Sequence, residues 1–135
     1  MIVVDASVAL AWCLSDEDDE LAERVLVQVA ADGAIAPAHW PLEVANGLVA
    51  AERRGRLEIA DSDQARRLLA DLQVEIVPIE LTTAAGMILD TARSHGLSAY
   101  DAAYLDLAKF RGLALATLDT DLSRAAASAG VPIAG

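Results

Sequence analysis

A chain of 135 residues with 55% hydrophobic side chains can bury one substantial core, so a single domain over 1–135 is expected and disorder is excluded. Ala, Leu, Val and Ile supply most of that content and aromatics only 4%, which favours packed helices over an aromatic-rich all-β fold. Ten Lys and Arg against 21 Asp and Glu leave a net charge of -11, which repels polyanions at long range and argues against a simple nucleic-acid-binding module.

The opening Ile2-Val3-Val4 is β-branched without polar alternation, as in a strand buried on both faces of a parallel sheet, and it stops at Asp5. Residues 6–14 read as a short apolar helix. Ser15 and the acidic run 16–20 read as a loop entering a second helix, which Gly33 ends after residue 32. Residues 34–36 suit a second strand. Pro41 suits the first turn of a helix continuing over 42–54 and closed by Gly55. Residues 60–72 are amphipathic, with Leu68, Leu69 and Leu72 on one face and Arg66, Arg67 and Asp71 largely elsewhere. A third strand is predicted over 74–79 with Pro78 at its edge or end, then a helix over 82–95 with Gly96 beyond it, and another over 98–110. Gly112 leads into a fourth strand over 113–117, residues 119–129 are helical, and 131–133 offer a last strand. This alternation implies an α/β domain whose mainly parallel sheet is covered by helices on both faces. Ligands of such sheets collect beyond the carboxyl ends of the strands.

Four acids fall at that edge. Asp5 ends the first strand and Asp119 follows the fourth, while Glu43 and Asp101 lie in the first turns of helices begun by Pro41 and capped by Ser98. Each alone is explained by the positive end of a helix dipole, worth roughly 0.3–1 kcal/mol, and Ser98 with Asp101 fits a capping box. Together they would repel, because like charges ~4 Å apart cost on the order of 4 kcal/mol per pair at an effective dielectric of ~20. A divalent cation removes that cost, and an all-oxygen set suits Mg2+ or Mn2+ where zinc would want nitrogen or sulfur. Metal-activated water can then cut a phosphodiester without a side-chain nucleophile, in keeping with a chain that offers no Ser-His-Asp or Cys-His constellation. The acidic total is reconciled with such a substrate if Arg53, Arg54, Arg56, Arg66 and Arg67 gather into a local basic rim.

Read together, Ile2-Val3-Val4-Asp5-Ala6-Ser7, Pro41-Leu42-Glu43-Val44-Ala45-Asn46, Ala99-Tyr100-Asp101-Ala102-Ala103-Tyr104-Leu105 and Ala116-Thr117-Leu118-Asp119-Thr120-Asp121 resemble the signature of PIN-domain ribonucleases. The similarity runs along essentially the whole chain and points to the VapC toxins of type II toxin-antitoxin pairs. It implies a three-layer α/β/α sandwich with a central mainly parallel sheet, Mg2+- or Mn2+-dependent endoribonuclease activity on RNA, a homodimer, and inhibition by a cognate VapB-like antitoxin. Carried onto matching positions, it makes Asp5, Glu43, Asp101 and Asp119 the metal-binding, catalytic acids. Asp121 would assist through water, and the Ser7 and Thr117 hydroxyls would orient a ligand water or contact phosphate, against simple turn or cap roles. Asn46, one helical turn after Glu43, would face the same cleft or be an ordinary polar helix position. A basic antitoxin tail suits the acidic site, with an arginine bridging its carboxylates when metal is absent.

Two other readings stay open. An aspartate-based phosphotransfer domain also places Asp at a strand end, but the haloacid-dehalogenase type wants an acid where this chain has Ser7, and a receiver's mid-chain acceptor Asp and later Lys are not in place. A catalytically silent PIN-fold interaction module would keep the fold and only bind its partner. Structural roles are expected for His39, for His95 beside Gly96, for Trp12 and Trp40 as packing or dimer anchors, and for Cys13 as a small buried apolar residue. Tyr100 and Tyr104, flanking Asp101, are placed at the cleft. No disulfide or Cys-rich zinc site can be built from one cysteine, and no apolar run approaches the roughly 18 residues of a membrane span. With an apolar start broken by Asp5 and no basic leader, a soluble cytoplasmic protein is expected.

Overall fold

The computed structural model describes residues 1–14, 16 and 19–135; the part of the expected loop at 15, 17 and 18 lies outside the described residues. β1 (Ile2–Val4) is buried along its whole length because it lies inside a four-stranded sheet of order β3-β2-β1-β4 in which every pairing is parallel. α1 (Ala6–Cys13) and α2 (Glu20–Asp32) connect β1 to β2 (Ala34–Pro37), and α3 (Trp40–Arg53) and α4 (Ile59–Asp71) connect β2 to β3 (Val74–Val77). The return to β4 (Leu115–Ala116) runs through α5 (Leu81–Thr83), a π-helical turn (Ala84–Ile88), α6 (Leu89–His95) and α7 (Ala99–Arg111), and α8 (Thr120–Ala129) follows.

Parallel crossovers are right-handed, so the direction in which the chain steps across the sheet decides which face each helix covers. From β1 to β2 to β3 it moves one way; it then returns past β1 to β4. Helices before β3 therefore share one face and those after it the other. The packing agrees: α1 lies against α2, α3 and α4, whereas α7 lies against the π turn, α6, α8 and the strands β1, β2 and β4. Between β1 and β4 the strand order reverses, and there a crevice opens at the carboxyl ends of the strands.

Small side chains make the layers close. α7 meets the sheet through Ala108, while Ala102 and Ala103 pack against Ile88 and Ala92. Gly47 lets α3 approach α1, since a Cβ there would lie 2.4 Å from Leu10 Cδ1.

Four expectations need correction. The helix expected over 82–95 is interrupted by the π turn, whose extra residue rephases the apolar face so that Ile88 and Ala92 reach Ala102 and Ala103. β3 stops at Val77, because Pro78 cannot donate to the ladder. β4 is only two residues long, and the expected last strand is a single parallel bridge between Leu115 and Ile133, with Pro132 contributing only its carbonyl, to Leu115 N–H at 2.9 Å. Among the described residues no helix is long and apolar enough to cross a membrane.

Candidate active site

The β1–β4 register pairs Val4 with Ala116, so Asp5 and Thr117 leave the sheet side by side at the crevice. Asp5 caps α1 and is buried. Ser7 Oγ and Val8 N–H donate to its Oδ1 at 2.6 and 3.1 Å, and the Thr117 hydroxyl donates to Oδ2. The same hydroxyl oxygens accept from the next loop: Ser7 Oγ from Leu118 N–H at 2.9 Å, and Thr117 Oγ1 from Asp119 N–H at 3.0 Å. The approach to α8 is thereby pinned to the start of α1. Burial pushes the Asp5 carboxyl up to about 6, against the lowering effect of the Ser7, Thr117 and Val8 bonds, and the charge of Asp101 adds to the rise.

Asp101 lies in the first turn of α7, where Ser98 Oγ accepts its N–H at 3.1 Å. Among the described residues no bond runs back from its carboxylate, so the capping box expected here is half made. Its carboxyl is held above the usual range first by burial, then by the charges of Asp119 and Glu43, with Asp121 adding and His39 opposing. The electric fields of Asp119, Glu43 and Asp121 thus meet on Asp101, and its own charge acts in turn on Asp5. Asp119 is exposed at the N-cap of α8, accepting Leu122 N–H at 2.9 Å. Asp121 is exposed and paired with Arg124 at 3.1 Å.

Glu43 is tethered. Tyr104 Oη donates to its Oε1 at 2.7 Å, and His39 Nε2 lies 3.1 Å from the same oxygen. Burial acts to raise this carboxyl, but the His39 and Tyr104 bonds and the His39 charge bring it below its ordinary value. Two acceptors face His39 Nε2, since the Tyr100 carbonyl is also at 3.1 Å, so that nitrogen must carry a proton. Burial, then the bond to Glu43, holds the Tyr104 phenol far above its usual range, which keeps it protonated as the donor to Glu43.

A carboxylate oxygen with two donors is filled. Asp5 Oδ1 and Glu43 Oε1 are in that state, while Asp5 Oδ2, Glu43 Oε2, both oxygens of Asp101 and Asp119 Oδ2 keep open capacity among the described residues. No three Asp, Glu, His or Cys side chains among the described residues stand close enough to enclose one ion. The open oxygens suit a hard cation that keeps most of its water, as Mg2+ does with one or two carboxylates.

The crevice thus brings together Asp5, Ser7, Thr117, Glu43, Asp101 and Asp119. Asn46 is exposed, and no hydrogen bond among the described residues joins it to them. His39, expected to be structural, is a site residue; its i,i+4 spacing from Glu43 was the available signal. Tyr104 reaches the site as expected, while Tyr100 contributes its carbonyl. The expected basic rim forms only in part: Arg54 and Arg56 line one cavity beside Ser7, whereas Arg66 lines another beside Trp40. Trp12 donates to the Ala22 carbonyl at 2.7 Å and Trp40 is buried, as packing roles require. Cys13 is half-buried, with its thiol pushed up to about 11 by burial.

A family model for the PIN domain matches residues 2–128. Ribonuclease VapC3 of Pyrobaculum aerophilum is 35% identical over 125 residues, covering 90% of this chain and 92% of that protein. Ribonuclease VapC9 of Mycobacterium tuberculosis is 38% identical over 128 residues, covering 91% and 89%. Among solved structures, a Pyrobaculum aerophilum protein superposes with a TM-score of 0.70 at 23% identity over 92% of this chain and 78% of its own. FitAcB from Neisseria gonorrhoeae does so at 0.66 and 19% identity over 100% and 97%, and a toxin-antitoxin complex from Klebsiella pneumoniae at 0.59 and 16% over 89% and 88%. These structures share the fold. The chain belongs to the PIN-domain family, and within it to the VapC group.

Proposed function

We propose that this chain, acting as one domain over 1–135, is a Mg2+- or Mn2+-dependent endoribonuclease and the toxin of a VapBC-type pair. The observation that carries the reading is the meeting of three carboxylate fields, those of Asp119, Glu43 and Asp121, on Asp101, whose own charge reaches Asp5 at the point of strand reversal. The names of the VapC relatives support RNA as substrate, and the Klebsiella pneumoniae complex supports an antitoxin as partner.

Asp5 through Oδ2, Glu43 through Oε2, Asp101 and Asp119 would hold the ion. When bound, it supplies an activated water and offsets charge on the phosphorane and leaving oxygen. The protein's own part is positioning. Ser7 and Thr117 have committed their hydroxyl protons to Asp5, so in this reading they aim that carboxylate and do not contact phosphate. Tyr104 and His39 fix Glu43 so that one defined oxygen remains free. Asp101, with no donor on its carboxylate among the described residues, and exposed Asp119 are the adjustable members.

A basic antitoxin tail is attracted by the same charge, and a homodimer would cover the exposed Met87 and Phe110, which line an apolar cavity of about 300 Å3. Such a pair would work in the cytoplasm.

A catalytically silent module is favoured by one observation, the lack of a ready three-acid cage among the described residues. Phosphotransfer through Asp5 is disfavoured, because two donors fill Oδ1 and the one site left on Oδ2 beside the Thr117 hydroxyl is the one this reading gives to the ion. RNA cleavage with Mg2+ or Mn2+, by the parent and by Asp5→Asn and Asp101→Asn, decides among them. Metal-dependent cleavage by the parent alone is expected; equal cleavage by all three would trace the activity to contamination.

A further inference from the structure

A cavity of about 400 Å3 lies between α1, α3 and the loop leading to α8, walled by Ser7, Leu10, Gly47, Ala50, Arg54 and Leu118 among others. Its position ties it to the acid site: Ser7 donates to Asp5, and Leu118 directly precedes Asp119. Its composition sets it apart. Four other cavities of about 300 to 390 Å3 each have at least one carboxylate in the wall, whereas this one has none among the described residues and carries two arginines. Arg56 is held by Asp16 through two bonds of 3.0 Å. Arg54 is exposed, and its side chain makes no hydrogen bond or ion pair among the described residues. A cation here would also suit the carbonyl end of α3, but Arg53, in the last turn, serves that purpose equally.

We propose that this cavity is a nucleotide subsite, in which Arg54 holds the phosphate next to the scissile one and Leu10, Ala50 and Leu118 give the sugar or base an apolar floor. The assignment rests on the ribonuclease reading and deepens it. A strand of RNA meets net repulsion almost everywhere on a chain of charge -11. It needs one place beside the acids where phosphate is welcome, and a planar guanidinium with two parallel donors fits phosphate better than any other side chain.

The test compares the parent with Arg54→Ala, Arg54→Lys and Arg53→Ala on a short, fluorescein-labelled single-stranded RNA. Steady-state cleavage is measured with Mg2+, and binding is measured by anisotropy across a salt series in the Asp101→Asn background. Arg54→Ala is expected to raise KM and Kd about tenfold with kcat within about twofold, and to flatten the salt dependence by about 0.7, one phosphate contact on a single strand. Arg54→Lys should restore part of the affinity. Arg53→Ala should change KM by less than about twofold, and thermal melts should report all variants folded.

If Arg54→Ala behaves like Arg53→Ala, only general charge matters and the subsite is refuted while the ribonuclease reading survives. A fall in kcat with unchanged KM refutes it too, as does loss of binding to a protein partner with RNA binding intact. A parent that cleaves nothing but binds RNA through Arg54 removes the ribonuclease reading and keeps the subsite.

Discussion

Asp5→Asn should make the metal-free protein more stable near neutral pH, by an amount the geometry allows to be worked out. In the fold the carboxyl is pushed from 3.8 to about 6, chiefly by burial. Between those values the folded state binds the proton more tightly than the unfolded chain, so stability falls as pH rises through this window. Below about pH 4 both states are protonated and the penalty vanishes; above about pH 7 it is complete. At roughly 1.36 kcal/mol per unit, the shift from 3.8 to about 6 corresponds to about 3 kcal/mol. Asparagine keeps an acceptor for Ser7 and Val8 but turns an NH2 toward Thr117, whose hydroxyl oxygen has a second lone pair to receive it. Imperfect geometry there takes back part of the gain, leaving about 1–3 kcal/mol, or roughly 5–10 °C in Tm. Urea titrations in chelator at about pH 4 and about pH 7.5, differenced between parent and variant, isolate this one group from every other titration. A difference that is the same at both pH values, or larger at the lower one, would refute the burial argument.

Tyr104→Phe removes a 2.7 Å bond to Glu43, so burial should lift that carboxyl and Mn2+ affinity, read by electron paramagnetic resonance, should fall about tenfold; unchanged affinity would mean that the tether does not position Glu43. Gly47→Ala forces a Cβ to 2.4 Å from Leu10 Cδ1 and should cost about 1 kcal/mol net. In a Leu10→Ala background that cost should vanish, so additive effects in the double-mutant cycle would contradict the close approach of α1 and α3. Phe110→Glu should turn a dimer into a monomer in sedimentation if the Met87–Phe110 face pairs two copies, while leaving the melt of the chain within about 1 kcal/mol because Phe110 is 80% exposed.

The parts of the site that could be read from the amino acids are those set by local chemistry. β1 announces itself by three β-branched residues, Glu43 by Pro41 at a helix start, Asp101 by Ser98 three residues earlier, and Asp119 by its place before an Ala-rich helix. What could not be read depends on partners far along the chain. Thr117 reaches Asp5 across 112 positions and Tyr104 reaches Glu43 across 61, and neither spacing carries a periodic signal. The π turn belongs here too, because only contact with Ala102 and Ala103 gives Ile88 and Ala92 a reason to shift phase. The arginines divided for the same kind of reason. Arg54 and Arg66 lie twelve positions apart, yet α4 faces back along α3, with Ser62 bonded to Glu52, and carries Arg66 to the cavity beside Trp40 at the far end of α3.

If RNA is its substrate as proposed, so acidic a chain must separate the place that attracts cations from the place that receives phosphate, yet keep them within one nucleotide's reach. Ser7 does this by belonging to both. It is the second residue of α1, so its backbone is fixed by the Asp5 cap; its hydroxyl closes onto Asp5 on one side and receives Leu118 N–H on the other. The wall formed by Ser7 and Leu118 therefore divides the carboxylates from the Arg54 cavity. Because both sides hang on the short turn between β1 and α1, any movement of Asp5 that accommodates an ion also moves the cavity wall. On the proposed readings, an ion at the acids and a phosphate at Arg54 would be linked through the one hydroxyl that bonds Asp5 and Leu118, at the point where the strand order reverses.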